Sequence, residues 1–204
     1  MKARPAPLLL AAVTLLGACG SDRDPVVGAG PGGNATTTAA AADDTGEAPT
    51  ATTSGASGFA TTTVSTPTAA RGLLEAVTAT HDADGGLDRL VFTFEGDVPG
   101  YRVGYVERPI VQDGSGDEVV VDGAAVLGVH FEPASGFDLT GEGRQVYRGP
   151  TRLDLATRAV LDVVRVSDFE ANLDWAVGVD APRTPFRVRT DGRSVVVEVQ
   201  VPSS

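Results

Sequence analysis

From Leu73 onward, apolar residues recur at every second position, and that period decides the fold class. Leu90, Phe92 and Phe94 alternate with Arg89, Val91, Thr93 and Glu95, and Tyr101, Val103 and Tyr105 alternate with Arg102, Gly104 and Val106. Successive side chains of a strand point to opposite faces, so a period of two makes one face apolar and leaves the other polar. Residues 126–131 form a short apolar run. Val160, Val164 and Val166 interleave with Leu161, Val163 and Arg165. Leu173, Trp175, Val177 and Val179 alternate with Asp174, Ala176, Gly178 and Asp180. The clearest pair is 186–189 and 195–201, which flank Thr190-Asp191-Gly192-Arg193. Asp-Gly between alternating runs predicts a tight hairpin whose two central residues take positive φ. One helical rival exists at 152–164, with Leu155, Ala159 and Val163 at helix-like spacing; it is either a short helix or a turn leading into a strand. Seven or eight short strands with no βαβ alternation predict an all-β fold, a small antiparallel β-sandwich.

The N-terminus has a different logic. Lys2 and Arg4 precede an apolar stretch, 8–16, broken only by Thr14, and small residues then lead to Cys19. Charged, apolar and small-residue regions in that order make a secretory signal peptide over 1–18. From Leu8 to Ala18 the segment is about 16 Å long as a helix, against about 30 Å for a bilayer core, which argues against a permanent span. Leu16-Gly17-Ala18-Cys19 resembles the lipoprotein box of bacterial envelope proteins. The resemblance implies that Cys19 is the lipid attachment residue, acylated by chains such as palmitate, and that it becomes the new N-terminus. The protein would then sit on the outer face of the cell membrane. An ordinary signal peptide that loses its cysteine is the alternative. Cys19 is the only cysteine, so no intramolecular disulfide is available and the fold must rest on its own core.

Residues 19–71 are expected to be a disordered tether. Between 20 and 70, Thr, Ala, Gly, Pro and Ser make up 40 of 51 positions, and only Val26, Val27, Phe59 and Val64 offer apolar bulk. No core forms from such material. As a flexible coil it spans roughly 40 Å, and fully extended about 170 Å. The globular part is therefore 72–204, long enough for one domain with a proper core. Of the 16 basic and 27 acidic residues, three and five precede Arg71, so the remainder carries a formal charge of about −9. A surface of that sign repels phosphate backbones, which excludes nucleic acid as a partner.

Enzyme chemistry has few parts to draw on. Only His81 and His130 exist, too few for a multi-histidine zinc site, and no spacing singles out a catalytic triad. His130 alternates with Val129 and Phe131, as a sheet-face residue does. Acidic residues abound, yet no spacing picks out a glycosidase-like pair. Two loops, 82–88 and 113–118, place carboxylates around glycines and would supply hard oxygen ligands for Ca²⁺. The first lacks a full calcium loop and its distal bidentate Glu, and Asp-Gly clusters also make ordinary turns. The expectation is turns, with no metal and no cofactor; calcium is the alternative. Tyr101 and Tyr105 share one side of their strand, opposite Arg102, and are either half-buried core or a sugar-stacking surface. Trp175 is expected in the core.

Residues 87–94 (Leu-Asp-Arg-Leu-Val-Phe-Thr-Phe) and 99–106 (Pro-Gly-Tyr-Arg-Val-Gly-Tyr-Val) resemble the opening of the AMIN-like domain of bacterial envelope lipoproteins. Asp168-Phe169-Glu170, the run 175–180 (Trp-Ala-Val-Gly-Val-Asp) and Pro185-Phe186-Arg187-Val188 resemble its closing half. The resemblance covers about 73–201. It implies a β-sandwich related to the AMIN module, a non-catalytic targeting domain of cell-wall amidases associated with peptidoglycan. Asp168, Glu170 and Trp175 read as fold elements, a polar turn followed by a core anchor. No amidase domain follows in this sequence, and the resemblance supplies no catalytic residues. The expected role is a membrane-anchored binding module for peptidoglycan or another envelope component, with a protein-interaction subunit of an envelope enzyme or transporter as the alternative.

Overall fold

The computed structural model describes residues 58–202. The expected signal peptide at 1–18, Cys19 and the part of the expected tether up to residue 57 lie outside the described residues. The described part is built of strands and turns: β1 (Val64–Thr66), β2 (Gly72–Asp82), β3 (Leu87–Gly96), β4 (Gly100–Val106), β5 (Ala125–Glu132), β6 (Ala134–Ser135), β7 (Phe137–Asp138), β8 (Arg144–Gln145), β9 (Val160–Phe169), β10 (Asn172–Val179), β11 (Phe186–Asp191) and β12 (Ser194–Gln200). Two five-stranded sheets, β1-β4-β5-β10-β9 and β11-β12-β3-β2-β6, stack as a β-sandwich, and β7-β8 form a small ribbon. All pairings are antiparallel except β2 with β6, which run parallel.

The period-two runs face each other across the sandwich. Leu90, Phe92 and Phe94 of β3 are fully buried, while Arg89, Val91 and Thr93 turn to the outer side. Phe131 of β5 lies 5.1 Å from both the Phe92 and Phe94 rings, and Trp175 of β10 meets Phe92 edge-on at 5.9 Å. Such tilted aromatic pairs add about 0.5–1.5 kcal/mol each beyond the area they bury. Tyr101 is buried and Tyr105 packs against the core, its hydroxyl donating to the Thr184 carbonyl at 2.6 Å. Tyr101 is thus core, and Tyr105 is half-buried, the first of the two roles the alternation allows. Trp175 is the expected core anchor.

One buried carboxylate ties the sheets together. Asp88 of β3 is fully inaccessible, and its Oδ2 accepts from the backbone N–H groups of Arg158, Ala159 and Val160 at 2.8, 2.6 and 2.9 Å. Its Oδ1 meets His81 Nδ1 at 2.8 Å. The chain entering β9 of one sheet is thereby held on a strand of the other.

Three local expectations resolve against specific physics. The 152–164 rival is a turn leading into a strand: Arg152 bridges Val164, Leu153 N–H donates to the Val163 carbonyl, and β9 begins at Val160. Its β-branched valines suit a pleated, packed surface. The β11–β12 hairpin pairs Asp191 with Ser194, so its two-residue loop is Gly192-Arg193 rather than Asp191-Gly192. Positive φ is confined to Gly192 (56°), the II′ pattern, which asks for Gly at the first loop position only. The β9–β10 hairpin instead places both loop residues, Glu170 (49°) and Ala171 (63°), in the left-handed region. That is the I′ pattern carried without a single glycine.

The boundary that composition put at 71/72 falls inside the packed structure. Ala60 pairs with Phe186 at the edge of one sheet, and Val64–Thr66 pair with β4 at the edge of the other. Val64 is buried in the core, and Phe59 lies under Arg187, whose guanidinium carbon is 4.5 Å from the ring centroid. A low-complexity stretch is recruited here by backbone pairing, for which Thr, Ser and Ala serve as well as any residue.

Candidate functional site

The outer faces of the two sheets differ in kind. On the β11-β12-β3-β2 face, Glu198 is buried beneath Arg89 (3.0 Å), Arg187 (2.5 Å) and Arg189 (3.5 Å), and Arg193 pairs with Glu75 at 2.5 Å. Burial pushes the Glu198 carboxyl up, but the hydrogen bonds from Arg187 and Arg89 and the charges of Arg187 and Arg189 outweigh it and leave it below the usual glutamate value. These charges satisfy one another, so the face is a closed lattice.

The β1-β4-β5-β10-β9 face is open. Register aligns Ser65 with Arg102, Arg102 with His130, His130 with Asp174, and Asp174 with Ser167, one outward residue from each strand. The result is a straight polar rung across five strands, about 19 Å long at ~4.8 Å per strand. The adjacent rung is Gly104, Gly128 and Ala176, which leaves a shallow trough beside the polar groups. Gly104 is required by a close approach: a Cβ there would collide with the Thr63 side chain. On one side the trough is walled by Thr63, Ser65, Thr66 and Pro67, part of the segment expected to be tether. On the other stands the loop between β4 and β5, which packs Ile110, Val119 and Val121 onto Val126, Val164, Val166 and Ala176 as a second small core.

Two adjoining cavities of about 630 and 410 Å³ lie along this face, and Arg102 and His130 line both. His130 Nδ1 is 2.8 Å from Asp174 Oδ1, and its Nε2 is 3.6 Å from Glu132 Oε2. The Asp174 hydrogen bond raises the imidazole above its usual value; burial opposes this and is outweighed. Ser167 is 3% exposed, lines the smaller cavity, and its hydroxyl has no partner among the described residues.

The sequence candidates disperse. His81 belongs to the Asp88 tie, far in sequence and function from the rung. In the 82–88 loop, Asp82 Oδ1 accepts from Gly85 N–H at 2.9 Å while Oδ2 meets Arg89 at 3.3 Å, and Asp88 points into the core. Asp82 serves a turn and an ion pair and Asp88 serves the core, so the two do not converge on one point. The 113–118 loop is the tip of a hairpin closed by Gln112 N–H to the Asp117 carbonyl and by the Val111–Glu118 bridge. Among the described residues, no group of three or more His, Cys, Asp or Glu is placed to hold a metal ion. His130 is the sheet-face residue its alternation implies. Arg102, Asp174 and Ser167 are not legible as a site in the sequence, although each is the outward polar residue of an apolar strand; the register that aligns them is not written in any one strand.

No curated protein and no solved structure matches the chain. The family model of the AMIN-like domain does match, over residues 72–201, from the first residue of β2 to just beyond β12. More than half of the sequence, including four of the five strands that carry the rung, is thus accounted for by one family, and the chain belongs to the AMIN-like domain family.

Proposed function

We propose that this protein is a lipid-anchored, extracytoplasmic binding module that engages peptidoglycan, or another component of the cell envelope, without catalysing chemistry on it. The observation that carries this role is the solvent-open polar rung on the outer face of an AMIN-like sandwich. An elongated, hydrogen-bonding groove fits a polymer laid across the strands, and the resemblance of this family to cell-wall targeting modules supplies the polymer. Cys19 gives the anchor, and the Thr/Ala/Gly-rich stretch after it gives the reach. Function then lies in localisation and geometry.

Co-sedimentation of the full-length, detergent-solubilised protein with purified sacculi tests the ligand. Retention that exceeds a no-sacculus control, and that falls when Arg102 is changed to Gln, supports the role; equal recovery with and without cell wall refutes its peptidoglycan part. Cys19→Ser is expected to move the protein out of the membrane fraction, and unchanged retention would refute the anchor.

A second reading, a docking subunit for an envelope enzyme or transporter, is favoured by Val106, Val111 and Phe169, all about half exposed, with Val106 and Val111 lining the groove. Crosslinking in cells that captures one stoichiometric partner through these residues, with no sacculus retention, would select it.

A further inference from the structure

The end of the groove beneath the β4–β5 loop has a charge pattern of its own. Its cavity of about 410 Å³, within the usual range for a small-ligand site, is lined by Arg102, Glu107, Asp113, His130, Ser167 and Asp174. Asp174 is matched by His130 at 2.8 Å. Among the described residues, the Arg102 guanidinium and the Glu107 and Asp113 carboxylates make no ion pair or side-chain hydrogen bond. The Ser167 hydroxyl is buried and unpartnered at the floor. Buried polar groups are nearly always satisfied, so a hydroxyl without a protein partner at the lining of a cavity is free to bond to whatever polar group occupies it.

The charges narrow what that ligand is. A bare anion gains Arg102 but is opposed by Glu107 and Asp113. A bare cation gains the carboxylates and leaves the guanidinium facing a like charge. A neutral glycan desolvates three charges and returns no counter-charge to any of them. A group carrying both signs answers all three: its carboxylate takes the planar Arg102 fork in two parallel hydrogen bonds, and its ammonium takes the acidic loop.

We infer that this end of the groove binds a zwitterionic amino-acid group, a carboxylate and an ammonium on one carbon, such as the free end of a diamino acid within a peptide. The inference rests on the binding-module role and specifies which part of an envelope polymer the module grips. Arg102 fixes the carboxylate, Glu107 and Asp113 receive the ammonium, and Ser167 supplies the floor contact.

Titration calorimetry on the full-length protein in detergent, with 2,6-diaminopimelate as the probe, tests it. Saturable binding is expected, weakened at least tenfold when both carboxylates of the probe are amidated and again when both amines are acetylated. Arg102→Gln is expected to weaken the free probe at least tenfold and to leave the already weak amide unchanged; Arg102 is exposed, and an unchanged melting temperature confirms the variant's fold. Equal affinity for the amide, absence of binding, or binding only to an N-acetylglucosamine oligomer overturns the inference. The result is separable from the sacculus test. Sacculi retained without probe binding would leave the binding role and remove this ligand, whereas probe binding without sacculus retention would leave the site and remove the polymer.

Discussion

Asp88 is the residue whose loss should be felt most sharply, and the structure gives the size of the effect. Asp88→Ala deletes the acceptor shared by three backbone donors, two of which, Ala159 and Val160, make fully buried bonds. Each buried donor left unmet costs about 1–3 kcal/mol. The third, at Arg158, is nearer the surface and is free to turn to water. The expected loss is therefore about 4 kcal/mol, a large part of the 5–15 kcal/mol typical of a domain. Asp88→Asn keeps the shape and one acceptor oxygen and loses only the charge assistance, about 1–2 kcal/mol. At roughly 3–4 °C per kcal/mol for a domain of this size, melting should fall by roughly 12–16 °C for Ala and about 5 °C for Asn. Trp175, the only tryptophan and 1% exposed, reports the transition by fluorescence in urea. An Ala variant within about 1 kcal/mol of the parent, or Ala and Asn variants of equal stability, would refute the idea that one carboxylate holds the sheets together.

Further expectations concern the groove, one turn, and the strap, meaning residues 58–66, which pair at the edges of both sheets. The His130 imidazole is held above its usual value by Asp174, so the stability it contributes is complete below about 6.5 and is lost as pH rises through the higher folded value. In an NMR titration, Asp174→Asn should bring His130 down; an unshifted titration refutes the pairing. A chain that begins at residue 72, where the family model starts, should be about 3 kcal/mol less stable in urea than one that begins at 58, because Val64 leaves the core and β4 loses its edge partner. Equal stability would show that the strap does not matter. Replacing Glu170-Ala171 with Asn-Gly should stabilise by about 1–2 kcal/mol, because both positions have positive φ, which costs ordinary residues about that much; no gain in melting temperature would refute the strain.

Much of the fold was legible in the residues. The alternation of Leu90, Phe92 and Phe94 against Arg89, Val91 and Thr93 set both the strand and its buried face, because a side-chain period of two leaves no other way to bury those three together. Trp175 and His130 followed the same parity, one inward and one outward. The 152–164 ambiguity remained because a short run with apolar residues at 155, 159 and 163 satisfies both periods, and only pairing with 151–153 separates them. The strap is not legible in composition, because its strand pairing draws on backbone groups, which composition does not report.

The sequence by itself determined that this chain would form strands, which face of each would be apolar, and that no disulfide would help, since each follows from local periodicity or from a count. Only the tertiary structure decided the site. Arg102, His130, Asp174 and Ser167 lie on four strands, and they meet because register, set by the packing of the opposite faces, aligns them in one row. The same holds for Asp88. An aspartate in an amphipathic strand reads as a surface residue until the partner sheet brings three N–H groups to meet it.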